Sequence, residues 1–121
     1  MDHYHIWFNL KDTTKDLEFA ERLHGYLGHL TKGGLIESYT LARRKLGFGP
    51  SEIGEFHIDI ITNGLEQLDR AFTAAAARSG VVEDLHHKVY ESITDFRSAL
   101  YRDFPDAVRA RPKPSRSEGP T

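Results

Sequence analysis

The segment Glu55-Phe56-His57-Ile58-Asp59-Ile60-Ile61-Thr62 alternates Phe56, Ile58 and Ile60 with Glu55, His57 and Asp59. A period of two belongs to a strand with unlike faces. A matching segment opens the chain, where Tyr4, Ile6, Phe8 and Leu10 alternate with His3, His5, Trp7 and Asn9. Side by side, the two would join their apolar faces into a core. Their other faces would make a polar surface that carries histidines.

The remaining elements follow in order. Residues 3–11 form the first strand. Asp12-Thr13-Thr14 supplies capping chemistry, with Thr13 and Asp16 at the spacing of a capping box. A helix is predicted from about Thr14 to Thr31, its apolar stripe made of Leu17, Ala20, Leu23, Leu27 and Leu30. Gly33-Gly34 should end it. Leu35 to Phe48 reads as a long strand whose basic second half, Arg43-Arg44-Lys45, protects a sheet edge. The glycines of residues 47–54 lack the Lys-Ser/Thr ending of a phosphate loop and read as a hairpin connection.

Asn63 is placed to cap a second helix, with Glu66 in the box position and Leu65, Leu68, Phe72 and Ala75 as its buried stripe. Past Gly80, Val82, Leu85, Val89 and Ile93 continue at helical spacing. Residues 94–104 fit either helix or strand. Topology favours strand, because a fourth strand would cover an otherwise unpaired central edge. Residues 106–121 hold Arg109, Arg111, Lys113 and Arg116 among three prolines, a polar tail expected to be disordered from about 110. The folded domain is therefore expected over 1–105.

The totals exclude several classes. A chain of 121 residues builds one core. Its net charge of −2 gives no field that favours nucleic acid. The absence of cysteine excludes disulfides, thiol catalysis and cysteine-ligated metals, and suits a reducing cytoplasm, the expected location. No stretch approaches the roughly 20 apolar residues of a membrane span, and the first residues lack a signal peptide's pattern.

Strand, helix, strand, strand, helix, strand is the ferredoxin-like βαββαβ order of an α+β fold. Right-handed crossovers put both helices on one face of an antiparallel sheet, with strands one and three central. The opposite face would hold His5, Trp7, Asn9, His57, Asp59 and Ile61. Trp7 and Ile61 are awkward to leave in water. A second sheet, from a second copy of the chain, would cover them by closing a barrel.

In this the chain resembles the dimeric α+β barrel superfamily. The resemblance rests on His3-Tyr4-His5-Ile6-Trp7-Phe8-Asn9-Leu10, Gly33-Gly34-Leu35-Ile36 and Glu55-Phe56-His57-Ile58, and it spans residues 3–104. Within that superfamily the chain is most similar to a small bacterial family of unknown function. The resemblance implies a homodimer, with ligands held between sheet and helices or at the barrel mouth. No catalytic motif of the enzymatic branches maps onto these residues, so no activity carries over.

His57 and Asp59, two apart on a strand, share a face. With His5 in suitable register they would make either a general base with its orienting carboxylate or the ligand set of a facial metal triad. A hydrogen-bonded polar cluster is the plainer reading of the same residues. His5, His57 and Asp59 are therefore the catalytic candidates, and Trp7, Asn9, Tyr39 and His57 the ligand-binding ones. Trp7 and Tyr39 could stack a planar molecule. His86-His87 and the pair His24 and His29 have poor spacing for a shared ion and read as surface histidines. No serine sits in a Gly-x-Ser-x-Gly elbow.

The expectation is a homodimer that binds a small organic ligand near the polar sheet face. No cofactor, nucleic acid or membrane partner is expected. A non-catalytic dimeric module, or a metal-binding enzyme using His5, His57 and Asp59, is the alternative. Whether the chain is an enzyme is open at this point.

Overall fold

A computed structural model describes residues 1–77 and 80–106. The elements are β1 (Asp2–Leu10), a 3-10 turn (Thr13–Lys15), α1 (Asp16–Lys32), β2 (Ser38–Arg43), β3 (Phe56–Thr62), α2 (Leu65–Ala76), α3 (Val81–Tyr90) and β4 (Ile93–Arg102). The sheet runs β2-β3-β1-β4, with every neighbouring pair antiparallel. This is the ferredoxin-like order, and β1 and β3 are its central pair. The tail from residue 107 lies outside the described residues, and with it most of the segment read as disordered.

Alternation sets the core. Phe8, Leu10, Phe56, Ile58 and Ile60 point to the helix side and are buried with Phe19, Leu23, Tyr26, Leu27, Leu30 and Ile36. Phe8 stacks on Phe56 at 5.6 Å between ring centroids and meets Phe19 at 5.3 Å. Residues 93–102 are strand. Their pairing with β1 gives that central strand a partner on its second edge, and local helical spacing does not survive against it. Ile93, read as the end of a helical stripe, begins this strand.

The helix stripes correct the sequence reading. Leu17 is 80% exposed, and Phe19 and Tyr26 take its place in the core. Leu17 and Leu23 lie six residues apart in one helix, roughly 120° off a common face, and the preceding 3-10 turn is capped by Asp12 Oδ1 rather than Thr13, accepting from Thr14 N at 3.0 Å. At the other end Gly34, at φ +74°, closes α1 in a Schellman motif. Leu35 N donates to Leu30 O and Gly34 N to Thr31 O. On α2, Leu68 and Ala71 are buried, whereas Leu65 and Phe72 are 63% and 46% exposed.

Neither Asn63 nor Glu66 caps α2. The buried Gln67 instead ties the turn before α2 to the end of α1: its Oε1 accepts from Asn63 N at 2.7 Å and its Nε2 donates to Gly34 O at 3.0 Å. Leucine at 67 would leave both backbone groups short of a partner. Gln67→Leu is therefore expected to lower the unfolding free energy by about 2 kcal/mol, against under about 0.5 kcal/mol for Asn63→Ala. Urea denaturation of the two variants checks the assignment.

β2 is shorter than the strand read from the sequence. It ends at Arg43, because Leu46 and Gly47 both take positive φ. The basic run after it is anchored as well as exposed. Arg44 Nη2 donates to Pro50 O at 2.9 Å and Ile53 O at 2.8 Å, which holds the hairpin loop together. Arg43 reaches Glu55 at 2.6 Å and Asp16 at 3.1 Å.

Candidate functional site

The open face of the sheet carries His3, His5, Trp7 and Asn9 from β1, beside His57 and Asp59 from β3 and Arg97 and Tyr101 from β4. Register puts Asp59 opposite His5 and His57 opposite Trp7. The side chains then bond diagonally. His5 Nδ1 lies 2.8 Å from His57 Nε2, and His3 Nδ1 lies 3.2 Å from Asp59 Oδ2. His3 Nε2 donates to Asp103 Oδ1 at 2.7 Å. Trp7 stacks on His57 at 5.2 Å and on His5 at 5.6 Å, while Tyr101 meets His5 edge-on at 5.2 Å.

These contacts decide what the cluster can do. A carboxylate only accepts, so His3 holds two protons when both of its carboxylate bonds are made. The bonds to Asp103 and Asp59 raise its pKa, and the same His3 contact holds Asp103 below the usual carboxylate range. Between His5 and His57 one nitrogen donates and the other accepts, so this bond does not survive full protonation of both rings. Burial lowers the pKa of His57, helped by His5 and opposed by Asp59. Asp59 Oδ1 is buried without a hydrogen-bond partner among the described residues.

The expected His57–Asp59 base and orienter pair is thus rearranged: Asp59 orients His3, and His57 bonds His5. His3 belonged to the same alternation as His5, and that spacing of two was the signal for it. Asp103 had no local signal, since it lies 100 residues from His3.

The ligand-binding candidates separate. Trp7 and His57 are together on the open face. Asn9 is a strand clamp, accepting from Glu55 N at 2.9 Å and donating to Asp95 Oδ2 at 3.1 Å. Asp95, at φ +57°, sits where the β1–β4 register shifts. Tyr39 pairs with Ile60 on the helix side, where its hydroxyl meets His24 Nδ1 at 2.7 Å. It cannot join Trp7 around one ligand.

A second feature lies between sheet and helices, where an apolar cavity of about 170 Å³ opens. Tyr4, Tyr26, Phe72, Ala75, His86 and Tyr90 are among its walls. Tyr4 and Phe72 meet edge-on at 5.2 Å, and His86 lies 5.6 Å from the Tyr26 ring. Burial pushes the Tyr26 phenol up to about 12 and moves His86 down. Both groups are therefore uncharged at neutral pH. His86, read as a surface histidine, is half-buried, and only its neighbour His87 is exposed.

The lowered His86 pKa has a pH consequence. In the unfolded chain a histidine takes its proton near pH 6.5, while folded His86 takes it only at lower pH. The unfolded state then binds more protons at this residue, so the His86 contribution to stability falls as pH drops below about 6.5. Wild type should lose stability relative to His86→Gln as pH is lowered from 7.5 to 5.5, a difference that thermal unfolding of both proteins reads.

The fold and these two features define a ferredoxin-like α+β protein with a histidine-rich open sheet face and an apolar cavity beneath its helices. The chain belongs to a family of unknown function, DUF6614, whose family model matches residues 1–114. Among solved structures it is similar to a dimeric protein of unknown function and ferredoxin-like fold from Bacteroides fragilis. The two are 11% identical with a TM-score of 0.59, over 84% of this chain and 95% of that one, a likeness that shows the fold alone. No curated protein matches. Among the described residues, no helix is long and apolar enough to cross a membrane.

Proposed function

We propose that the chain is a homodimeric binding protein for a small, neutral, largely apolar molecule held between sheet and helices. The observation that carries this reading is the cavity of about 170 Å³ with Tyr26 and His86 in its wall. An apolar cavity of about 150 Å³ is enough to hold benzene, so the volume suits one aromatic ring or a short branched chain. Apolar walls with a few convergent polar groups are the usual make-up of a ligand pocket. The uncharged Tyr26 and His86 offer hydrogen bonds to a single polar substituent, such as a hydroxyl or carbonyl. This places the ligand on the opposite side of the sheet from Trp7 and His57. The open face is assigned to the second copy, which would shield Trp7 and the partly exposed Ile61. A neighbour of the same fold is dimeric, which supports a second copy without saying which face it covers.

Ala75→Phe puts a ring into the cavity from α2. Binding of small phenols and substituted benzenes, followed by calorimetry, is expected to saturate with wild type and to drop at least tenfold with Ala75→Phe. Equal binding to both would reject the cavity as the site. For the dimer, light scattering should give twice the chain mass for wild type and a monomer for Trp7→Lys.

A further inference from the structure

We propose that His3, His5 and Asp59 form a binding site for a divalent transition-metal ion of the zinc type, with His57 and Asp103 as its supporting layer. One nitrogen from each of the two histidines and one carboxylate oxygen of Asp59 lie within 4.8 Å of one another. Zinc sits about 2.0–2.2 Å from such ligands, so bound donors stand roughly 3.3 Å apart in a tetrahedral site. Side-chain rotations that bring the donors together by up to about 1.5 Å close that difference. The Cα positions are already set, because His3 and His5 alternate on β1 and Asp59 pairs with His5 across the central strands. Sites built on strands hold their ligands better than sites on loops.

A further observation points to a cation. Asp59 Oδ1 is buried without a hydrogen-bond partner among the described residues, although its other oxygen faces His3. A buried carboxylate oxygen lacking a partner is a site that a cation satisfies. The supporting layer is also present. Metal-bound imidazoles usually make a hydrogen bond through the other ring nitrogen, which fixes tautomer and orientation. His3 Nε2 donates to Asp103 at 2.7 Å, leaving Nδ1 turned to Asp59. His5 Nδ1 bonds His57 at 2.8 Å, and its Nε2 has no hydrogen-bond partner among the described residues. Two imidazoles and one carboxylate without sulfur suit zinc, cobalt or nickel better than calcium or magnesium. Three protein ligands leave a coordination position open for water or a small anion.

The competing occupant is a proton on His3 Nδ1, which would make the ring a cation bridging two carboxylates. Titration of the chelator-treated full chain with Zn²⁺ or Co²⁺ separates the two. Calorimetry is expected to give one ion per chain with Kd near or below micromolar, and Co²⁺ should develop visible absorption. His3→Ala and Asp59→Asn should each weaken binding by at least a hundredfold and His57→Gln by about tenfold, with His87→Ala unchanged. In case a variant fails to fold, wild-type histidine NMR gives a second reading: Zn²⁺ should shift the ring signals of His3 and His5 and leave His87 in place. No saturable zinc binding, or binding that survives both His3→Ala and Asp59→Asn, would overturn the site in favour of the bridging proton. Ring shifts confined to other histidines would overturn it as well.

Discussion

Phe8→Ala is expected to lower the unfolding free energy by about 4 kcal/mol, and thermal unfolding should show it as a melting temperature lower by roughly 15 °C. Phe8 is 0% exposed and lies where the layers meet. It stacks on Phe56 across the central strand pair and touches Phe19 on α1. Deleting the ring removes its transfer energy and leaves a cavity that strands on one side and a helix on the other cannot fill. Phe48, 82% exposed in the hairpin loop, is the comparison. Phe48→Ala should stay within about 0.5 kcal/mol of wild type. A similar loss from both substitutions would contradict the core placement.

The second large effect belongs to a glycine. A Cβ on Gly54 would stand 2.3 Å from the carbonyl carbon and oxygen of Phe8 and 2.7 Å from its Cα. These are backbone atoms of a central strand, so no side-chain rotation relieves the clash. Gly54→Ala should cost about 3 kcal/mol, at the upper end of overpacking penalties, and should also loosen the start of β3. Gly25, on the exposed side of α1, has nothing within 4 Å of an added Cβ. There the same substitution should stabilise the protein by about 0.5–1 kcal/mol, since alanine loses less backbone entropy in a helix. Denaturant titration of the two variants should give opposite signs. A mild loss at Gly54 would mean that β1 and the loop before β3 are not packed backbone to backbone.

The proposed pocket and the proposed metal site occupy opposite faces of one sheet, so their tests are independent. A variant that fills the cavity should leave zinc binding intact. Asp59→Asn should in turn leave phenol binding intact.

Much of this arrangement was legible in the residues. Alternation in 3–10 and 56–62 assigned every side chain of the central strands to a face, because strand periodicity is a local property of the backbone. The Gly33-Gly34 stop was equally local, since a left-handed residue closes a helix whatever packs around it. Residues 94–104 were not decided locally. Their spacing suits a helix, and only the pairing of β4 with β1 makes them strand. Leu17 shows a related limit: two steps of three linked it to Leu23, but each falls about 60° short of a full helical turn, so Leu17 faces solvent and Phe19 lies inside.

The chemistry divides in the same way. Local alternation was enough to put histidines and an aspartate on one sheet face, because side chains two apart on a strand must point together. Which of them bond depends on how the strands come together. Register and sheet twist set Asp59 against His3 and His57 against His5, and β4 brought Asp103 back to β1 from the far end of the fold. Tyr39 was parted from Trp7 by the same register, which turned it toward the helices. The cavity beside Tyr26 and His86 had no signature in the chain at all, since a void is what remains after helices of particular lengths settle on a twisted sheet.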